Sequence, residues 1–230
     1  MPDLVPIHLH PTAALSERVL LPGDPGRALA LAQTLLKDPL MFNHNRGLWG
    51  YTGTAPDGEP LTIQATGMGG PSAAIVLTEL IELGAQRAIR VGSCGALRSG
   101  MKLGELVIAR EAICADGTSR ALGANERISA DQLLTGALEE HAPQAHRGAV
   151  VSVDLFYETG PAGAGHDALA VEMEAATLLA LGAAKSVPVA CLLFVSDTFQ
   201  QDGERTRIEE PEMLLAAERM GSAAIAALPI

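Results

Sequence analysis

The 230-residue chain sets 16 Lys and Arg against 27 Asp and Glu, a formal net charge of −11. That balance excludes nucleic acid as a partner, because a polyanion needs a basic stripe that this chain lacks. Residues are 48% apolar but only 3% aromatic, so the core has to be built from Ala, Leu, Val and Ile, as in helices packed on a largely parallel sheet. No apolar run approaches the roughly eighteen residues of a membrane span, and MPDLVPIHLH has no basic region leading into an apolar core. We therefore expect an unexported, cytoplasmic protein with no membrane contact. Cys94, Cys114 and Cys191 are scattered without CxxC spacing, which suits a reducing compartment and predicts no metal site. The length suits one domain, residues 1–230.

In chain order, RVLLPG (18–23) reads as a strand and DPGRALALAQTLL (24–36) as a helix, with Asp24 as N-cap and Pro25 in its first turn. LTIQAT (61–66) is a strand, followed after GMGG by a helix from Pro71 to Leu83 that Gly84 ends. AIRV (88–91), ELVIA (105–109) and AVVSV (149–153) are strands. VEMEAATLLALGAA (171–184) reads as a helix, VPVACLLFV (187–195) as the longest strand, and residues 211–228 as a closing helix. The predicted fold is a single-domain, three-layer α/β structure with a central mixed, partly barrel-like sheet flanked by helices.

Nearly every predicted strand runs into glycine and polar residues: PGDPGR, TGMGGPS, GSCG, DLFYE and SDT. In an open α/β sheet, ligands bind beyond the carboxyl ends of the strands, so five such ends describe one site. Arg90 stands out, because it interrupts a buried strand. An unpaired buried charge costs several kcal/mol, so this arginine requires either a carboxylate partner or a bound anion.

RVLLPGDPGRA, NRGLWGYTG, TGMGGPS, IRVGSCGAL, DLFY, VEMEAATLL and VSD, in this order, resemble the nucleoside phosphorylase family that includes bacterial hexameric purine nucleoside phosphorylases and uridine phosphorylases. The resemblance runs from about residue 5 to 200. It implies attack of inorganic phosphate on C1′ of a nucleoside, giving free base and ribose 1-phosphate, with phosphate as co-substrate and no cofactor. It also implies a homohexamer, a trimer of dimers, with sites shared between subunits.

Phosphate needs backbone N–H groups at a helix start and guanidinium forks. The resemblance gives this task to Gly23, Arg27, Arg90 and Ser93, with Arg46 of NRG reaching a neighbour's phosphate. It assigns the sugar to Met68, Met173, Glu172 and Glu174, and to His8 near the 5′-hydroxyl of the partner's site, with His10 as competitor. It also implies that Phe156 of DLFY stacks on the base. Ser196 and Asp197 end the last strand, where the resemblance implies that Asp197 protonates N7 of a leaving purine, assisted by either Arg205 or Arg207. Uridine phosphorylases carry a Gln-x-Arg pair just after FY, where this chain reads ETGPAG, so purine is favoured over uridine. ATLL and Gln200-Gln201 nonetheless echo the uridine branch.

Three rival functions compete with this reading. A nucleosidase of the same superfamily uses water and has no need of Arg27, Arg46 and Arg90. A dinucleotide-binding oxidoreductase would read GMGGPS as GxGxxG, but Ser72 replaces the third glycine. A non-catalytic nucleoside sensor would not need Asp197.

Overall fold

The computed structural model describes residues 5–157, 163, 165–199 and 205–228. Its first strand, β1 (Arg18–Leu21), leads into α1 (Pro25–Leu35), β2 (Lys37–Asn43) and a single 3-10 turn at Asn45–Gly47. Then follow β3 (Gly50–Thr54), β4 (Pro60–Gln64), α2 (Gly70–Glu82), β5 (Arg87–Ala96) and β6 (Leu106–Cys114). α3 (Gly117–Ala121), β7 (Arg127–Ser129), α4 (Gln132–His141), β8 (His146–Ser152) and β9 (Ala170–Glu172) come next. α5 (Ala175–Lys185), β10 (Val189–Phe199), β11 (Arg205–Arg207) and α6 (Glu210–Ala227) complete the order.

The strands form one mixed sheet in which β10, β6, β8, β9 and β5 pair in sequence, and β5 pairs back onto β10, closing a five-stranded barrel. β1, β4, β3 and β2 extend outward from β5. β4, β1, β5 and β10 are mutually parallel, so their carboxyl ends share one edge of the molecule. The mixed α/β fold, with its barrel-like sheet and flanking helices, is the one the sequence led us to expect.

Strand side chains alternate between two cores, as the period of two dictates. Cys191, Leu193 and Val195 of β10 face one core with α2 and α5, while Ala190, Leu192 and Phe194 face another with α1, α4 and α6. Both faces are covered, which is why these strands read as unbroken apolar runs rather than alternating ones. The same alternation turns Arg90 of β5 toward the side of Ala88 and hence of α5.

Several expected boundaries move. The helix predicted over 171–184 starts only at Ala175, because Val171 and Glu172 pair as β9 with β5 and β8. β5 runs on through GSCG instead of stopping before it, and β10 continues past Val195 into an antiparallel hairpin with β11. Asp197 therefore lies within a strand and not at its end. Residues 158–162 of the stretch ETGPAG, and Gln200-Gln201, fall outside the described residues.

Candidate active site

Arg90 is buried, and its Nε donates to Glu172 Oε2 at 2.9 Å while its Nη2 lies 2.5 Å from Glu174 Oε2. The sequence reading answers this buried charge with a bound phosphate; in the structure two carboxylates of the chain itself, Glu172 and Glu174, already answer it. Burial acts to lower the pKa of Arg90, but Glu174 and Glu172 outweigh it and hold the guanidinium charged above its ordinary value. Nη1 remains buried without a hydrogen-bond partner among the described residues. A Cβ on Gly92 would sit 2.8 Å from Arg90 Nη2 and 2.9 Å from its Cζ, so the glycine of GSCG makes room for this side chain.

Glu172, expected beside the sugar, has its oxygens engaged by protein donors. Besides Arg90 it accepts the N–H groups of Glu174 and Ala175 at 2.8 and 2.8–2.9 Å, and the Ser152 hydroxyl. It thereby satisfies orphan amides at the start of α5. Glu174, at the N-cap position of α5, accepts the N–H of Gly69 on Oε1 at 2.5 Å and meets Arg90 through Oε2. Gly69 itself has φ of 84°, a left-handed value that glycine adopts without strain, and this aims its N–H at the carboxylate.

The loops before α1 and α2 meet here. Asp24 caps α1 by accepting the Arg27 N–H at 2.6 Å, as the sequence predicts, and a Cβ on Gly23 would lie 3.3 Å from the Gly67 carbonyl oxygen. The Arg27 guanidinium stands over the Phe194 ring, with its Cζ 5.1 Å from the centroid. Burial, opposed by Asp24 and Glu174 and reinforced by Arg90 and Arg207, lowers its pKa from the ordinary value. Two guanidinium groups thus lie in one electrostatic neighbourhood. Ser93 is half-buried on β5, opposite Phe194 of β10. Met68 is 87% exposed, and Met173 packs partly buried on a small cluster with Val151, Val153 and Val171.

At the other end of the site β10 bulges: Val195 pairs with Cys94 and Asp197 with Gly95, leaving Ser196 as the extra residue. The Ser196 hydroxyl donates to Asp197 Oδ2 at 2.6 Å, and Arg205 Nε donates to Oδ1 at 2.7 Å. Arg207 Nε is 4.0 Å away, which leaves Arg205 as the close partner of Asp197. Arg205 also lies over the Phe156 ring, with its Cζ 4.6 Å from the centroid, joining the DLFY segment to the SD segment. Phe156 is 43% exposed, so it is no core aromatic.

His8 and Arg46 form a separate pair of features. Asn45 Nδ2 donates to the His8 carbonyl at 2.9 Å, so the 3-10 turn and the N-terminal segment adjoin. Arg46 is exposed with φ of 56°, an uncommon backbone for a residue with a side chain. His8 Nδ1 is 2.6 Å from Glu79 Oε1, and His10 Nε2 is 3.2 Å from the Ile7 carbonyl oxygen. The sequence reading missed Gly92 as the space for Arg90, Ser152 and Glu79; the one available signal was an acid inside the apolar run IVLTELIEL.

Among the described residues no group of His, Cys, Asp and Glu is arranged to hold a metal ion, and no helix is long and apolar enough to cross a membrane. The family model for the Phosphorylase superfamily matches residues 17–228. The chain is 38% identical over 212 residues to a protein of Geobacillus kaustophilus named purine nucleoside phosphorylase DeoD-type, covering 88% of this chain and 89% of that one. It is 37% identical over 220 residues to a Clostridium beijerinckii protein of the same name, covering 90% and 92%. A Bacillus cereus protein, also so named, is 38% identical over 208 residues, covering 85% and 87%. A family model matched over residues 17–228, together with relatives of this identity and coverage, makes the chain a member of the phosphorylase superfamily.

Proposed function

We propose that the chain cleaves purine ribonucleosides or deoxyribonucleosides with inorganic phosphate, giving free base and (deoxy)ribose 1-phosphate. The observation that carries this reading is Arg90 Nη1, a buried donor with no hydrogen-bond partner among the described residues, whose guanidinium also acts electrostatically on a second, partly desolvated one, Arg27. An unpaired buried donor of this kind costs about 1–3 kcal/mol or more unless a ligand fills it, and an anion does so best. The name shared by the relatives supports a purine as the base.

In this reading the phosphate rests on the amides after Gly23 at the start of α1, on Arg27, Arg90 and Ser93, and on a neighbour's Arg46. Glu172 keeps Arg90 in place from behind. Glu174 accepts from the sugar hydroxyls, with Met68 and Met173 against the sugar and the neighbour's His8 at the 5′-hydroxyl. A phosphate oxygen forms the bond to C1′ as the C1′–N9 bond breaks, and its electron pair stays with the base. The base takes the face of Phe156 that Arg205 now covers; Asp197 gives up its ion pair with Arg205, takes up a proton from solvent as the nucleoside binds, and passes that proton to N7. The whole chain, residues 1–230, acts as one catalytic domain in a cytoplasmic homohexamer.

The test is a nucleoside panel incubated with and without phosphate, with the free bases resolved. Turnover should require phosphate, and Arg90→Ala should raise the phosphate KM and lower kcat/KM by about 2–4 kcal/mol, the scale of a lost transition-state charge contact. Asp197→Asn should slow inosine by about 10²- to 10⁴-fold, while a 7-methylated purine nucleoside, which leaves as a neutral base without protonation, should be slowed far less. Rapid turnover in phosphate-free buffer would overturn phosphorolysis.

A further inference from the structure

Glu79 lies in the middle of α2, buried beside Val76 and Leu80, and none of the roles above uses it. Its carboxylate is wrapped by one short stretch of chain. The N–H of Ile7 donates to Oε1 at 3.1 Å, that of His8 reaches Oε1 and Oε2 at 3.1 and 3.0 Å, and that of Leu9 donates to Oε2 at 2.7 Å. The fourth contact is made by the His8 side chain itself, with Nδ1 at 2.6 Å from Oε1. Three successive amides around one anion form a nest, and nests hold the charged form of a carboxylate.

We propose that Glu79 is a positioning residue for His8: it holds the proton on Nδ1 and so leaves Nε2, on the far side of the ring, as a hydrogen-bond acceptor for a nucleoside hydroxyl. The inference rests on the reading that His8 serves the sugar of a neighbouring site. A carboxylate that already accepts three amides has no proton of its own to share, so the proton between Oε1 and Nδ1 belongs to the imidazole. Burial pushes the Glu79 carboxyl up, but the His8 side chain and the backbone donors together bring it below its ordinary range. A neutral imidazole carries one N–H, and with that on Nδ1 the other nitrogen accepts. Among the described residues Nε2 of His8 has no hydrogen bond. Asn45 fixes the His8 carbonyl at 2.9 Å, so the ring is held from the helix side and the backbone from the NRG turn. Anchoring segment 7–9 alone requires only the three amides. The short fourth contact adds a choice of tautomer, which bears on what the ring can do.

Nitrogen-15 spectra of the ring, read on the intact protein without substrate, test the tautomer directly. Wild-type His8 should show Nδ1 protonated and Nε2 bare at a pH where the ring is neutral, and Glu79→Gln should shift the population toward protonated Nε2. Kinetics supply the second arm, comparing inosine with 5′-deoxyinosine at saturating phosphate. The preference for inosine should fall about 3- to 10-fold in Glu79→Gln, the scale of one hydrogen bond, and His8→Phe in that background should add little. A wild-type ring protonated on Nε2, or a folded Glu79→Gln protein with unchanged preference, overturns the inference. His8→Phe keeps Glu79 and its amides, so it reports the ring's share should Glu79→Gln fail to fold. A wild-type protein that turns over nucleosides but ignores the 5′-hydroxyl overturns the His8 assignment itself, a failure that the substrate-free spectrum tells apart.

Discussion

Gly92→Ala adds a single methyl group beside the most constrained side chain of the site. Its Cβ would stand 2.8 Å from Arg90 Nη2, 2.9 Å from Arg90 Cζ and 3.1 Å from Leu193 Cδ2, where ordinary contacts begin at 3.4 Å. Arg90 cannot retreat freely, because Nε is tied to Glu172 at 2.9 Å and Nη2 to Glu174 at 2.5 Å. Either the guanidinium leaves one carboxylate, or β5 shifts against β10. Overpacking of this kind costs about 1–3 kcal/mol, which for a chain of this size lowers Tm by roughly 2–12 °C. The larger effect falls on activity, since a displacement near 1 Å in a group that orients a reactant can cost about 10²-fold. Thermal melts and phosphate-saturation kinetics read the two effects separately, and Gly92→Ala should raise the phosphate KM while lowering kcat/KM. Arg90→Met removes the atoms that clash, so in that background Gly92→Ala should cost appreciably less stability than in the wild type. Wild-type stability and phosphate KM in Gly92→Ala would refute the claim that Gly92 exists to seat Arg90.

Two further outcomes separate neighbours that look equivalent in sequence. Arg205→Met should lower stability by about 1 kcal/mol, a charge-assisted hydrogen bond discounted for partial exposure, and Arg207→Met by less than about 0.5 kcal/mol; denaturant titrations with equal effects would remove Arg205 as the specific partner of Asp197. If sites are shared between subunits, mixing weakened His8→Ala chains with weakened Asp197→Asn chains should raise activity above the mean of the two separate proteins after verified subunit exchange, because a mixed dimer assembles one intact site. No recovery would place His8 and Asp197 in the service of the same subunit's site.

The chain order of the elements that build the two cores was legible because their burial is nearly complete on both faces. VLL and VACLLFV are continuous apolar runs for that reason, and Asp24-Pro25 and Gly69-Gly70-Pro71 mark helix starts through local backbone chemistry. β2 was not legible: five of its seven residues are exposed, so it carries neither an apolar run nor a clean alternation, and only pairing with β3 makes it a strand. α4 was missed although Asp131 caps it and Leu134 and Leu138 share its buried face, a signal that was present at the right spacing. The sequence by itself determined that Arg90 is buried and must be answered by an opposite charge, since that follows from an arginine inside an apolar strand. Only the tertiary structure decided what answers it. Glu172 and Glu174 lie 82 and 84 positions further along, and it is the closure of β9 onto β5, with α5 starting just beyond, that carries both carboxylates to the guanidinium. In the same way Glu79 reads as an ordinary helix charge until the N-terminal segment folds across α2 and places three amides and an imidazole on it, a long-range contact that no local spacing encodes.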